Sequence, residues 1–267
     1  MGLMHHTEDG VALSVTEEGD GAPFVFQHGL CGDAAQPGQV FPDGAGFRRV
    51  TVECRGHGAS EAGPFDRLSI RTFADDIAGY MDASGLAPAV VGGISMGAAI
   101  ALRLAVTRPE LVRALVIARP AWVVDEAPEN MRPNLEAGDL ITRFPPQEAR
   151  RRYEASPATA RLEEEGPDNL ASIRGFFTRE PRDVTAALLT RISADGPGVS
   201  ETEVQAIAVP TLVIGHRLDV VHPLAHAQAI AALIPSARFV EITPKAGDAA
   251  AYRADFHAAL ADFLKGL

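Results

Sequence analysis

Short apolar runs alternate along this chain with longer stretches in which apolar residues recur every three or four positions. Val11–Val15, Pro23–Gln27 and Arg48–Val52 read as strands. Ala89–Ile94 and Ala114–Ala118 are unbroken apolar runs, the pattern of strands covered on both faces. Between them, Ile70 to Leu86 places Ile70, Phe73, Ile77, Tyr80 and Met81 on one helical face, and an alanine-rich helix is expected from about Ala98 to Val106. The rhythm breaks from 121 to 207, where no convincing strand is visible and eight prolines fall between Pro128 and Pro197. Strand patterning resumes at Thr211–Gly215 and Arg238–Ile242, and a last amphipathic helix is expected over Ala250–Leu264. The prediction is an α/β fold with a mostly parallel sheet, its core formed by 1–120 and 208–267, and a helical insertion over 121–207.

Charge and composition narrow the function. With 35 acidic and 24 basic residues the formal net charge is −11, the opposite of the basic face that nucleic acid requires. Hydrophobic residues make up 46% and charged residues 22%, ordinary for a globular protein. No apolar stretch approaches the roughly 20 residues of a membrane helix, and the N-terminus lacks a basic region followed by an apolar run. Cys31 and Cys54 show no metal-ligand spacing and are too few for a disulfide framework. These features predict a cytosolic protein acting on a small molecule, without nucleic acid or membrane as partner, and with a homodimer left open.

The sharpest local signal is Gly93-Ile94-Ser95-Met96-Gly97, a G-x-S-x-G between a buried strand and the alanine-rich helix. Small flanking residues allow a sharp turn that lifts the serine hydroxyl above the sheet edge. The helix starting there turns its free N–H groups toward any developing oxyanion. A tight turn with serine as a helix cap is the plainer reading of the same residues.

Together with Gln27-His28-Gly29-Leu30, Arg55-Gly56-His57-Gly58-Ala59-Ser60 and Gly215-His216-Arg217-Leu218-Asp219-Val220-Val221-His222-Pro223, this motif resembles the α/β-hydrolase fold over nearly the whole chain. The similarity is to the group with a helical lid inserted after the sixth strand, which includes lactonases, esterases and C–C bond hydrolases. It implies Ser95 as nucleophile, the N–H groups of Leu30 and Met96 as oxyanion hole, and Asp219 as the acid that orients a base. It also implies His28 as a brace of its loop, with ligand contact as the alternative, and His57 as a turn residue.

The base departs from the family pattern. A Gly-His pair is expected after the last strand, but the stretch reads Pro244-Lys245-Ala246-Gly247-Asp248. An unperturbed carboxyl with a pKa near 4 is a poor base for a serine hydroxyl at neutral pH. His222, three residues past Asp219, is the substitute, with substrate contact or a structural loop role as its alternatives. His216 follows the strand, His226 opens the next helix, His257 lies on the last helix, and His5 and His6 precede the first strand. Arg119, at the carboxyl end of a strand, could pair with a substrate carboxylate or tie core to insertion. Lys245 reads as an exposed loop lysine, and Asp248 as a candidate for substrate contact.

The expected activity is serine-dependent hydrolysis of an ester, lactone, thioester or activated C–C bond in a small molecule, a carboxylate on it being one option, with no metal or organic cofactor. The alternatives are a non-hydrolytic lyase or isomerase on the same fold, or a silent ligand-binding protein.

Overall fold

Two apolar layers form because each strand alternates its side chains across one sheet. The computed structural model describes residues 3–267. Its eight strands are β1 Leu3–His6, β2 Ala12–Glu18, β3 Ala22–Gln27, β4 Phe47–Val52, β5 Ala89–Ile94, β6 Val112–Ala118, β7 Thr211–Gly215 and β8 Ala237–Glu241. They lie in the order β1-β2-β4-β3-β5-β6-β7-β8. The pairings β1–β2 and β2–β4 are antiparallel, and the rest are parallel.

The core helices are α1 Ala35–Gly38, α2 Ile70–Ala83, α3 Met96–Thr107, α10 Leu224–Leu233 and α11 Ala249–Leu264. On one face Val25, Val91, Leu115, Ile117 and Val213 pack with Phe73, Ile77 and Met81 of α2 and Ile100 and Leu104 of α3. On the other, Phe24, Phe26, Val90, Val116, Leu212 and Ile214 pack with Tyr252, Phe256 and Leu260 of α11. Each such large apolar side chain contributes about 1.5–3 kcal/mol on burial.

Between β6 and β7 the chain forms α4 Arg132–Arg143, α5 Pro146–Glu154, α6 Pro157–Glu165, α7 Pro167–Phe176, α8 Arg182–Ser193 and α9 Glu201–Gln205. Prolines stand in the first turn of α4, α5, α6 and α7, where a missing N–H costs nothing. Four of the eight prolines that break the strand pattern, Pro133, Pro146, Pro157 and Pro167, are therefore helix starts. This insertion has its own apolar cluster around Ile141, Tyr153, Leu162, Leu170, Ile173 and Leu189. Val184, Leu188 and Ile192 of α8 join the main core instead, so α8 anchors the insertion to the sheet.

One element differs from expectation. His5 and His6 do not simply precede the first strand; they lie in the edge strand β1, paired with Leu13 and Ala12. Four residues with two histidines carry too little apolar periodicity to read as a strand. Among the described residues no helix is long and apolar enough to cross a membrane.

Candidate active site

Ser95 sits where β5 ends and α3 begins, with φ 57° and ψ −114°. A non-glycine residue holds such a conformation only when its surroundings over-determine it. Its N–H donates to the Ala118 carbonyl at 3.0 Å, and the glycines on either side let the chain close up. A Cβ on Gly93 would lie 2.2 Å from the Gly97 carbonyl carbon, and one on Gly97 would lie 2.5 Å from the Gln27 oxygen. The two glycines of the motif are thus required by contact between β5, α3 and the end of β3. Met96 is the first residue of α3, so its N–H belongs to the free donors of the helix start.

The opposing loop, Gly29 to Cys31, is held by two buried imidazoles. The Cys54 N–H donates to His28 Nε2 at 3.0 Å, and the Cys31 N–H donates to His57 Nε2 at 3.0 Å. Because a backbone N–H can only donate, both Nε2 atoms carry lone pairs, and the Nδ1 atoms donate to the Gly29 and Arg55 carbonyls. Burial keeps both rings neutral, pushing His28 below the ordinary imidazole range and His57 well below it. His28 is therefore a brace, and it does not line the cavity. Its candidacy for substrate contact is corrected by this geometry. Gln36 adds a third support, accepting from the Gly29 N–H at 2.6 Å.

The candidate acid lies on the loop after β7. Asp219 Oδ2 accepts from Arg119 Nε at 2.9 Å and Nη2 at 2.7 Å. Oδ1 accepts from Asn169 Nδ2 at 2.8 Å and from the His222 N–H and Nδ1, both at 2.9 Å. Burial alone would raise this carboxyl, but the Arg119 charge and then His222 hold it well below the usual carboxylate range. Facing an ionised carboxylate, His222 Nδ1 carries a proton and donates it to Asp219. His216 stands on the other side, its Nε2 3.6 Å from Asp219 Oδ2. Burial, with the Arg119 charge next, pushes it down to about 4.

One cavity, about 540 Å³ counting its open mouth, is lined by Gly29, Leu30, Ser95, Arg119 and His222, and by Asn134, Asp168, Asn169, Ile173 and Phe176 of the insertion. Leu30, Ser95, Arg119 and His222 are thus brought together, with Met96 directly behind the serine. Arg119 is a tie between core and insertion, since its Nη2 also meets Asp168 at 3.1 Å. Lys245 lines the cavity too, its Nζ 2.8 Å from Asp168 Oδ1, so it is not a plain surface lysine. Asp168 is held below its ordinary value: its burial opposes this, and the charges of Arg119 and Lys245 override the burial.

A model of the alpha/beta hydrolase fold matches residues 22–252. The chain belongs to this family. As an α/β hydrolase it is 30% identical over 242 residues to BpoC of Mycobacterium tuberculosis, which carries the provisional name non-heme bromoperoxidase, covering 89% of this chain and 90% of that one. It is 29% identical over 251 residues to 2-hydroxymuconate semialdehyde hydrolase of Pseudomonas putida, covering 86% and 82%. The enol-lactonase of Burkholderia xenovorans LB400 superposes with a TM-score of 0.73 at 23% identity, covering 98% of this chain and all of that one (100%). That likeness is one of fold.

In this α/β hydrolase Asp248 does not reach the cavity. Its carboxylate accepts from the Ala250 and Ala251 N–H groups at 2.9 and 3.0 Å and caps α11, which corrects its candidacy for substrate contact. Asn134, Asp168 and Asn169 are cavity residues that sequence reasoning did not single out. The only sequence signal near the last two is Pro167 at a helix start, which says nothing about reach across to the β7 loop.

Proposed function

We propose that this α/β hydrolase works through Ser95, His222 and Asp219 on an ester, lactone, thioester or activated C–C bond of a small molecule. The observation that carries the reading is the His222 imidazole, bound to Asp219 through Nδ1 and lining the same cavity as Ser95. In this reading Ser95 Oγ attacks the substrate carbonyl carbon while His222 Nε2 takes its proton. The resulting oxyanion is held by the Leu30 and Met96 N–H groups. Collapse breaks the bond to the leaving group, which receives the proton from His222. Water then hydrolyses the acyl-enzyme by the same steps in reverse. Residues 121–207 act as the lid over this chemistry.

The cations Arg119 and Lys245 are matched by Asp219 and Asp168. The cavity therefore has no surplus positive charge, which favours a neutral polar substrate over the carboxylate-bearing option raised by Arg119. The test is a panel of p-nitrophenyl acetate and butyrate, γ-butyrolactone and an acetyl thioester. Wild type should turn over at least one, Ser95→Ala should fall to background, and His222→Gln should lose about 10²–10⁴-fold. Turnover retained by Ser95→Ala would overturn the nucleophile assignment.

A further inference from the structure

Asn169 stands on α7, in the insertion, yet every hydrogen bond of its side chain goes to the β7 loop. Its Oδ1 accepts from the Val220 N–H at 2.8 Å and the Val221 N–H at 3.2 Å. Its Nδ2 donates at 2.8 Å to Asp219 Oδ1, the same oxygen that meets His222 Nδ1. The residue is only 4% exposed. A planar amide fixed at its oxygen by two backbone donors can aim its nitrogen in one direction only, so the Asp219 carboxylate is fixed in rotation by a group outside its own loop. Its neighbour Asp168 makes a second link from the same helix to Arg119, which holds the other carboxylate oxygen.

We infer that Asn169 is a positioning residue for the acid–base pair, so that the pair is aligned only while α7 is seated on the β7 loop. The inference rests on the proposed roles of Asp219 and His222. Donors on both carboxylate oxygens fix the carboxylate plane, which His222 Nδ1 meets at 2.9 Å from Oδ1 and 3.1 Å from Oδ2, and hence set where Nε2 points. An error of about 1 Å in such placement costs on the order of a hundredfold in rate.

Asn169→Asp tests this, because it keeps the acceptor for Val220 and Val221 but replaces the donor with a second carboxyl against Asp219. Charged or titratable groups around position 169 are Asp219, His222, Arg119 and His216 on the β6 and β7 ends, Asp168 on α7, and Lys245 on the loop before α11. Two adjacent carboxyls share a proton more readily as pH falls. A shared proton restores a donor. Labelling of Ser95 by a fluorophosphonate should therefore be about 10–100-fold slower than wild type at pH 8, with the deficit narrowing toward pH 5. A merely structural role gives a deficit that does not change with pH.

The second readout needs no reactivity at all: the downfield proton resonance of His222 Nδ1–H, identified by its loss in His222→Gln. It should shift or broaden in Asn169→Asp. If that variant does not fold, Asn169→Ala should show the same change in the resonance and labelling about tenfold slower. A wild-type resonance together with wild-type or pH-independent labelling ratios would overturn the inference. Absence of wild-type labelling would instead overturn the serine reading, while the resonance would still decide the role of Asn169.

Discussion

Two carboxylates, Asp219 and Asp248, stand near the same edge of the sheet and do unlike things because their donors differ. Asp248 receives two backbone N–H groups at the start of α11, which is worth about 1 kcal/mol for a helix cap. Asp248→Ala should therefore lower the unfolding free energy by about that amount in urea titrations and leave Ser95 labelling unchanged. Asp248→Asn, still a good cap, should change neither. His57 shows the reverse dependence, since its Nε2 is the acceptor for the Cys31 N–H beside Leu30. His57→Phe leaves that N–H unpaired and should cost about 1–3 kcal/mol of stability. It should also slow acylation of the serine if the proposed roles hold, because the loop that carries Leu30 loses its support. Wild-type acylation in a folded His57→Phe protein would detach this imidazole from the oxyanion hole.

At the scale of elements, the insertion is two parts with different attachments. α8 contributes Val184, Leu188 and Ile192 to the main core, whereas Ala149, Tyr153 and Leu162 of α5 and α6 belong to the second cluster, whose buried core-domain member is Val220 of the loop after β7. Amides of α5 and α6 should exchange faster than those of α8, as expected where fewer contacts reach the sheet. Equal protection in mass-resolved exchange would mean that the insertion opens as one unit. This scale is also where sequence legibility changes. The buried strands β5, β6 and β7 and the elbow at Ser95 are readable because burial on both faces demands unbroken apolar runs and the tight turn demands Gly93 and Gly97. The nearness of Asp219 and His222 is readable because they follow β7 on one loop. Asn169 is not, because its function depends on a contact 50 residues away in sequence, and an asparagine near a helix start looks like any other. Asp248 misleads for a related reason: an acidic residue before a helix serves as a cap whatever the fold around it.

Over the whole molecule, the buried imidazoles set the response to acid. His28 and His57 are held neutral by burial, and His216 is pushed down to about 4 by burial and then by Arg119. Between the folded values and about 6.5 the unfolded chain binds protons that the native state refuses, so stability falls as pH drops through that window. Asp168 and Asp219, both lowered in the fold, extend the loss below the ordinary carboxylate range. Asp76, raised by its burial, works in the opposite sense just above that range. The net expectation is a melting temperature that declines steadily from pH 7 to pH 4; a flat profile would show that these imidazoles are protonated in the fold. The central claim, a serine activated by a histidine on the acid's own loop, is tested most directly by fluorophosphonate labelling followed by peptide mass mapping. The account predicts a single adduct on Ser95 in the wild type and labelling about a hundredfold or more slower in His222→Gln. No adduct on Ser95, or equal labelling of the two proteins, would contradict it.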